Sequence, residues 1–232
     1  MGKDVIIACD FASGKETLEF LDKFGAKKPF VKIGMELFYA EGPSIVEKIK
    51  QRGHKIFLDL KLHDIPNTVK KAMAVLRSLD VDMTNLHAAG GSKMMQGAIE
   101  GLTRPDGTRP ILIAVTQLTS TDAETLKNEL LIETPMAETV MSYALNAKNS
   151  GLDGVVCSPL EAAGVHEKCG KEFVTVTPGV RFADGDIGDQ KRVMTPAEAK
   201  KVGSDYIVVG RPITAADDPV AAYERCVREF VD

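Results

Sequence analysis

Two kinds of segment alternate strictly along the 232-residue chain, and this alternation leaves few possible folds. Short apolar runs rich in Val, Ile and Leu alternate with longer amphipathic stretches, and eight such pairs follow one another. The apolar runs are Val5–Phe11, Phe30–Leu37, Lys55–Leu62, Met83–Ala89, Pro110–Leu118, Gly154–Ser158, Phe173–Val180 and Tyr206–Ile213. The amphipathic stretches are Ser13–Gly25, Gly42–Arg52, Pro66–Leu79, Ser92–Leu102, Pro135–Ser150, Leu160–Lys168, Pro196–Gly203 and Pro219–Val231.

Near-continuous apolar strands are typical of parallel sheets covered by helices on both faces. Eight consecutive strand–helix units predict a (β/α)8 TIM barrel, an α/β fold that commonly forms one domain of about 250 residues. A doubly wound open sheet is the alternative, but Asp10-Phe11-Ala12-Ser13-Gly14 lacks the G-x-G-x-x-G turn that usually follows its first strand. No linker interrupts the pattern, so we expect a single domain over residues 1–232. The irregular stretch Thr119–Thr134 is long enough for a short extra helix.

Charge and composition argue against several classes of function. The chain has 29 Lys and Arg residues against 33 Asp and Glu, a net charge of −4, and no basic block, so we expect no nucleic-acid partner. No apolar run approaches the length of a membrane span, and Val5-Ile6-Ile7-Ala8 is too short for a signal peptide. The cysteines form no C-x-x-C pair, and we interpret them as free thiols. These features together predict a cytoplasmic protein.

Four charged residues are predicted to converge on the barrel mouth, where the active sites of this fold lie. Asp10 ends the first strand, and Lys32 lies within the apolar second strand. Because side chains alternate along a strand, Asp59 and Lys61 of the third strand point the same way. An ion-pair network that satisfies only itself is the alternative, but four buried charges are a poor way to gain stability. We therefore expect a functional site at this point.

A second group of residues follows the seventh and eighth strands. Arg181 ends the run Thr177-Pro178-Gly179-Val180-Arg181, and Gly210-Arg211 ends the eighth strand. The loops at these two places are the usual phosphate site of the fold. A glycine lets backbone N–H groups approach an anion, and an arginine can hold two phosphate oxygens. The alternative is a pair of surface arginines beside glycine turns.

The run Asp59-Leu60-Lys61-Leu62-His63-Asp64-Ile65-Pro66-Asn67-Thr68 resembles the bacterial orotidine 5′-phosphate decarboxylases. The D-x-K-x-x-D-I-P pattern within it carries the resemblance. Matching motifs extend over the whole chain, at Asp10, Lys32, Leu118-Thr119-Ser120, Pro178-Gly179-Val180-Arg181, Gln190 and Gly210-Arg211.

The resemblance implies a homodimeric TIM barrel that converts orotidine 5′-phosphate to UMP and CO2 without a metal or cofactor. It implies that Lys61 is the proton donor and that Asp59 and Asp64 flank it, with Asp64 reaching in from the other subunit. The remaining implied roles concern the substrate: Lys32, Asp10 and a partner-derived Thr68 at the ribose, Thr119 at the pyrimidine, Arg181, Gly210 and Arg211 at the phosphate, and Gln190 between phosphate and base.

Two other functions remain open. A magnesium-dependent sugar-phosphate decarboxylase or synthase of the same superfamily shares the D-x-K-x-x-D run. That group places an acidic metal ligand on the second strand, where this chain has Lys32, and a lysine repels Mg²⁺. The other possibility is a non-catalytic phosphate-binding barrel. The set of Asp59, Lys61 and Asp64 argues against it, because a binding protein has no need to bury these charges.

Overall fold

Eight parallel strands pair in chain order and close into a barrel, with the eighth strand returning to pair with the first. The computed structural model describes residues 3–183 and 194–232. The strands are β1 Asp4–Ala8, β2 Phe30–Gly34, β3 Ile56–Leu62, β4 Met83–His87, β5 Ile111–Val115, β6 Gly154–Val156, β7 Val174–Thr177 and β8 Tyr206–Val209. The predicted (β/α)8 barrel is therefore confirmed.

Helices connect the strands. They are α1 Gly14–Asp22, α2 Met35–Glu41, α3 Ser44–Gln51, α4 Pro66–Ser78, α5 Gly91–Leu102, α6 Ala123–Asn128, α7 Met136–Asn149, α8 Ala162–Cys169, α9 Pro196–Lys201, α10 Arg211–Thr214 and α11 Pro219–Phe230. Short 3-10 turns at Ala88–Gly90 and Pro159–Glu161 follow β4 and β6. Helix α6 confirms the extra helix expected after the fifth strand. No helix within the described ranges is long and apolar enough to cross a membrane.

The sequence-based prediction is wrong after the second strand. The apolar run Phe30–Leu37 suggests one long strand, but β2 ends at Gly34 and helix α2 begins at Met35. Gly34 is the N-cap residue of α2, and Gly42, at φ +65°, ends it. Met, Glu, Leu and Ala in this segment are good helix formers. Seven residues are nevertheless too few for helical periodicity to stand out from an apolar run.

Two apolar layers fill the molecule, one inside the barrel and one between the sheet and the helices. The interior layer consists of Ile6, Ala8, Phe30, Phe57, Met83, Ile113, Val174, Val176, Tyr206 and Val208. Alternate residues such as Leu58 and Leu60 pack outward. Because side chains alternate along a strand, the interior position after Phe30 is Lys32 and the one after Phe57 is Asp59. The apolar filling therefore gives way to charged side chains at the C-terminal end of the barrel.

Three aspartates close the opposite, N-terminal end. Each stands immediately before an even-numbered strand, and its carboxylate accepts a hydrogen bond from a backbone N–H at the start of the preceding strand. The bonds run from Ile56 to Asp82, from Leu112 to Asp153 and from Thr175 to Asp205, at 2.8, 2.7 and 2.8 Å. Each carboxylate also meets a basic side chain, namely Lys50, Arg109 and His166 in turn. This end of a TIM barrel serves stability, and the chemistry belongs at the other end.

Candidate active site

A cavity of about 300 Å³ opens at the C-terminal end of the strands. Small-molecule sites begin at about this size. Its polar lining consists of Lys32, Asp59, Lys61, Asn85, Gln117, Thr119 and Ser120, and its apolar lining of Phe57, Val115, Leu118, Val156, Val176, Pro178 and Val208. Thr119, expected from the resemblance to touch a pyrimidine, is thus at the cavity. The lining suits a compact ligand that has one charged edge and an apolar body.

The four charged residues predicted to converge form a continuous chain of ion pairs. Lys32 Nζ lies 2.8 Å from Asp10 Oδ1 and 3.5 Å from Asp59 Oδ2. Asp59 Oδ1 accepts a hydrogen bond from Lys61 Nζ at 2.7 Å. Lys32 and Asp59 are buried, whereas the Lys61 side chain keeps 27% of its surface exposed. Of the two ammonium groups in this series of ion pairs, that of Lys61 is therefore the more accessible to a ligand.

Opposite charges determine the ionisation of the two buried members. Burial on its own would raise the pKa of Asp59 and lower the pKa of Lys32, because water no longer solvates either charge. The ammonium groups of Lys32 and Lys61 outweigh this effect and lower the pKa of Asp59. The carboxylates of Asp59 and Asp10 likewise outweigh it and raise the pKa of Lys32. Both side chains are therefore charged at neutral pH.

The backbone that carries Lys61 departs from a regular strand. Its φ angle is +50°, a value that few residues other than glycine adopt. On strand β3, Leu58 pairs with Thr84 of β4, and the next pair is Leu62 with Leu86. The chain therefore advances four residues on β3 but only two on β4 between these pairs. Asp59 and Lys61 do meet as alternation predicts, but they do so through a bulge. Irregular backbone of this kind is concentrated at functional sites.

Asn85 on β4 joins this array, although it is not among the residues singled out from the sequence. Its Nδ2 donates to Asp59 Oδ1 at 2.7 Å, and its Oδ1 accepts from the Lys61 backbone N–H at 2.9 Å. The available signal was a polar amide at the interior-facing position two residues after Met83. A buried amide requires hydrogen-bond partners, so this residue indicated further polar groups inside the barrel.

Gly34 leaves room for the ion pair between Asp10 and Lys32. A Cβ atom at this position would lie 3.1 Å from Asp10 Oδ1 and 3.2 Å from Lys32 Nζ. These distances are tighter than ordinary van der Waals contact, so any larger residue would push against the pair. The glycine that caps the start of α2 therefore also leaves space for the ion pair beside the cavity.

Asp64 and Thr68 do not reach the cavity of their own chain. Asp64 lies in the loop after β3 and Thr68 in the first turn of α4, and both are exposed. Asp64 Oδ1 accepts a hydrogen bond from the backbone N–H of Ile65 at 2.6 Å. Neither residue is part of the cavity lining. The fold of one chain thus does not bring these two predicted site residues together with Lys61.

Arg181 stands at the base of the loop that follows β7. Its backbone N–H donates to the Met194 carbonyl at 3.0 Å, and the Met194 N–H donates to the Gly179 carbonyl at 3.4 Å. These bonds hold the two ends of the loop together. Arg181 Nη1 also donates to the Val180 carbonyl at 2.9 Å. Gln190, which the resemblance places between phosphate and base, lies outside the described residues.

Gly210 and Arg211 follow β8 at the rim of the barrel. The Gly210 carbonyl accepts the first hydrogen bonds of α10, from the N–H groups of Ile213 and Thr214 at 2.8 and 3.0 Å. Arg211 is the first residue of that helix and is exposed. A Cβ at Gly210 would meet the Cβ of Ala8 at 3.6 Å, which is ordinary contact. Packing against the described chain therefore does not by itself require glycine here.

The carboxylates of the cavity are paired with ammonium groups. The Lys32 ammonium bridges Asp10 and Asp59, the two carboxylates nearest to it. Among residues 3–183 and 194–232, no group of three or more His, Cys, Asp or Glu side chains is arranged to hold a metal ion.

Comparison with known proteins places this geometry in context. The sequence profile described as "Orotidine 5'-phosphate decarboxylase / HUMPS family" matches residues 3–226. Orotidine 5'-phosphate decarboxylases of a Geobacillus species (strain WCH70) and of Bacillus cytotoxicus are 57% and 59% identical to the chain over 233 residues, which is 99% of this chain and 98% of each relative. The crystal structure of orotidine 5'-phosphate decarboxylase from Lactobacillus acidophilus is 47% identical, with a TM-score of 0.89, and the match covers 99% of this chain and 100% of that one.

Proposed function

The chain belongs to the orotidine 5'-phosphate decarboxylase / HUMPS family, as its motifs predict, and from this premise we propose that it converts orotidine 5′-phosphate to UMP and CO2 in pyrimidine biosynthesis. The two relatives named above both carry the decarboxylase name. The observation that carries the proposal is the placement of Lys61 Nζ, which is held by Asp59 at 2.7 Å beside a ligand-sized cavity.

The reaction breaks the bond between C6 of the pyrimidine and its carboxylate. The electron pair of that bond stays on C6, and CO2 departs. The carbanion has no conventional electron sink, so a cation beside C6 must stabilise it. Lys61 supplies that cation and then gives a proton from Nζ to C6, which completes UMP. Solvent returns the proton to Lys61 after the product leaves.

The size of the electrostatic contribution shows that Lys61 does not act alone. One ammonium at roughly 3 Å from the carbanion, at an effective dielectric of about 20, contributes about 5.5 kcal/mol. That is about four orders of magnitude in rate. Binding energy from the ribose and phosphate, realised at the reacting centre, and exclusion of water supply the remainder. A phosphate grip remote from C6 is therefore part of the catalytic mechanism.

The binding roles follow the same geometry. Lys32 and Asp10, which form an ion pair at 2.8 Å, hold the ribose, and Thr119 contacts the pyrimidine within the cavity. Arg181, Arg211 and the backbone at Gly210 hold the phosphate at the rim. The absence of a side chain at Gly210 supports this role, because a side chain there would screen the backbone from an anion. Gln190 is proposed, from the sequence, to bridge phosphate and base.

The site is completed by a second copy of the chain. Asp64 and Thr68 are exposed and stand outside the cavity of their own subunit. Both follow β3 within ten residues of Asp59, at the end of the barrel where the cavity opens. In a two-fold dimer each subunit would offer these residues to the other. Asp64 of the partner subunit would then flank Lys61 on the side opposite Asp59.

The geometry does not favour the magnesium-dependent alternative. Lys32 Nζ lies within 3.5 Å of both Asp10 and Asp59, and its pKa is raised by their carboxylates. A second cation would meet this buried ammonium at close range, and like charges repel. Lys32 therefore occupies the place that a metal ligand would need.

The test is turnover of orotidine 5′-phosphate by the purified protein in the presence of EDTA. We expect the ultraviolet absorbance of the substrate to fall while UMP accumulates in equal amount, measured by anion-exchange chromatography. Activity that disappears with EDTA and returns with Mg²⁺ would support the metal-dependent relative. Tight UMP binding without any turnover would instead support the non-catalytic barrel.

A further inference from the structure

The Asn85 side chain connects two parts of the site through one buried amide. Asn85 is 1% exposed. Its NH2 group binds the carboxylate of Asp59, and its oxygen binds the main chain of Lys61. Its neighbour across the sheet, on the β5 side, is the apolar Ile113. The amide thus directs both of its polar atoms at β3.

The partners dictate which way the amide faces. A carboxylate can only accept hydrogen bonds, and a backbone N–H can only donate one. If the amide were flipped, its oxygen would face Asp59 Oδ1 and its NH2 group would face the Lys61 N–H. Only one orientation is therefore compatible with an ionised Asp59, and no apolar residue of the same size can make either bond.

Both bonds act on atoms whose position matters for the reaction. The φ angle of Lys61 is +50°, and the β3–β4 register shifts around it, so its N–H requires a specific acceptor at this point. Asp59 Oδ1 accepts from both Asn85 Nδ2 and Lys61 Nζ, each at 2.7 Å. The backbone and the ammonium of Lys61 are thus held from the same side chain, directly in one case and through Asp59 in the other.

We propose that Asn85 is a positioning residue for the proposed decarboxylation: it holds the Lys61 main chain in its left-handed conformation and turns the Asp59 carboxylate toward Lys61 Nζ. The kinetic part of this inference rests on the proposed function, whereas the conformational part rests on the hydrogen bonds alone. Because Asn85 acts through Lys61 and Asp59, its loss affects the chemical step more than the binding of nucleotide.

The first variant is Asn85→Leu, which keeps the branched outline of the side chain, with a somewhat larger volume, and removes both hydrogen bonds. We expect kcat to fall by about 10- to 100-fold, as for other small misplacements of a reacting group. We expect the dissociation constant of UMP, measured by calorimetry, to stay within about threefold of the wild-type value. A kcat within about twofold of wild type in folded Asn85→Leu would overturn the proposal.

The second variant is Asn85→Asp, which can form the two hydrogen bonds of Asn85 only when the new carboxyl group is protonated. A protonated carboxyl can donate to Asp59 and accept from Lys61, as the amide does, whereas a carboxylate repels Asp59. The charged and titratable groups around this position are Asp59 and Lys61 on β3, Lys32 behind them on β2, and His87 two residues along β4. We expect kcat of this variant, relative to wild type, to rise as the pH falls. A ratio independent of pH would overturn the proposal, and this holds even if Asn85→Leu fails to fold.

Thr84→Val is the matched control. Thr84 is the preceding residue on β4, is fully buried, and donates one hydrogen bond from its hydroxyl to the Leu58 carbonyl of β3 at 3.0 Å. The substitution preserves shape and removes one bond between the same two strands, on the helix-facing side. We expect a lower melting temperature and an unchanged kcat. A kcat loss equal to that of Asn85→Leu would show that general damage to the β3–β4 pairing explains both variants.

The two proposals fail in different ways. If the wild-type protein does not turn over orotidine 5′-phosphate, the proposed function fails, and Asn85 is judged from a crystal structure of Asn85→Leu. There we expect the φ angle of Lys61 to leave the left-handed region, or its Nζ to leave hydrogen-bond distance of Asp59. If the wild-type protein is active and both features survive in the variant, the inference about Asn85 alone is overturned.

Discussion

Asp59 and Lys61 lie two residues apart on β3, and their side chains meet at 2.7 Å across a bulge in that strand. The same carboxylate also faces Lys32 Nζ at 3.5 Å. Asp59 therefore keeps a cationic neighbour when Lys61 is removed. Because one side of the pair can be deleted without leaving a buried carboxylate unpaired, the chemical contribution of Lys61 can be measured separately from its contribution to stability.

Lys61→Ala should nearly abolish turnover of orotidine 5′-phosphate and leave folding and UMP binding largely intact. The variant loses the stabilising cation and the proton donor together. Turnover is measured by the absorbance assay and UMP binding by calorimetry. Lys48→Ala, an exposed lysine on α3, is the control and should keep wild-type activity. If Lys61→Ala retained more than about a tenth of the activity, equal to ~1.4 kcal/mol of barrier, the assigned role would be wrong.

The ionised state of Asp59 should make stability depend on acid pH. Its pKa lies below its ordinary value of 3.8, because Lys32 and Lys61 outweigh the opposing effect of burial. A carboxyl with a lowered folded-state pKa stabilises the protein above its unfolded pKa, and that contribution disappears as the pH falls through the folded value. The difference in unfolding free energy between wild type and Asp59→Asn should therefore shrink below about pH 4. Urea unfolding across a pH series measures it, and a constant difference would contradict the assignment.

Arg211→Ala should weaken recognition of the phosphate rather than of the base. Loss of a charged, bidentate contact should raise the activation barrier by about 3 kcal/mol. This corresponds to a fall in kcat/KM of roughly a hundredfold. The dissociation constant of UMP should rise, whereas that of uridine should stay the same because uridine has no phosphate for Arg211 to bind. The ratio of the uridine constant to the UMP constant should therefore fall by a similar factor. Arg228→Ala, at an exposed position on α11, is the control and should change neither. An unchanged ratio in Arg211→Ala would place the phosphate elsewhere.

Mixed dimers should test whether Asp64 serves the neighbouring subunit. Lys61→Ala and Asp64→Asn are each expected to be nearly inactive alone. In a hybrid dimer with shared sites, one site contains both substitutions, and the other contains the native Lys61 and the native Asp64. After dissociation and remixing in equal amounts, about half the dimers should be hybrid, so roughly a quarter of all sites should recover activity. No recovery, with hybrid dimers shown by native mass spectrometry, would mean that Asp64 acts within its own chain.

Asp153→Ala should destabilise the barrel without affecting catalysis. Its carboxylate accepts from the Leu112 backbone N–H and pairs with Arg109 at the end of the barrel opposite the cavity. Losing these partners should cost about 1–3 kcal/mol of unfolding free energy, measured in urea. Asp217→Ala, at an exposed position before α11, should cost little. A fall in kcat at a temperature where Asp153→Ala is fully folded would show that this end also influences the site.

The pattern of amino acids along the chain is enough to predict the barrel and much of the charged array. Eight apolar runs in alternation with amphipathic stretches leave few other ways to bury so many strands, and strand periodicity places Lys32 and Asp59 inside the barrel. The D-x-K-x-x-D-I-P run by itself indicates the family. These features are local or periodic, so they can be read along the chain. The break at Gly34 cannot be recognised in this way, because helix α2 is too short to show a period of its own.

The way in which these groups are held, by contrast, depends on the folded chain. The left-handed backbone at Lys61, the register shift between β3 and β4, and the double hydrogen bond from Asn85 depend on residues 24 and 26 positions apart along the chain. No sequence period links such positions, because their contact arises only when neighbouring strands are brought into register. The exposure of Asp64 and Thr68 is likewise a property of the folded subunit. It arises because the chain leaves the barrel after β3, and it gives physical support to a site shared between two copies.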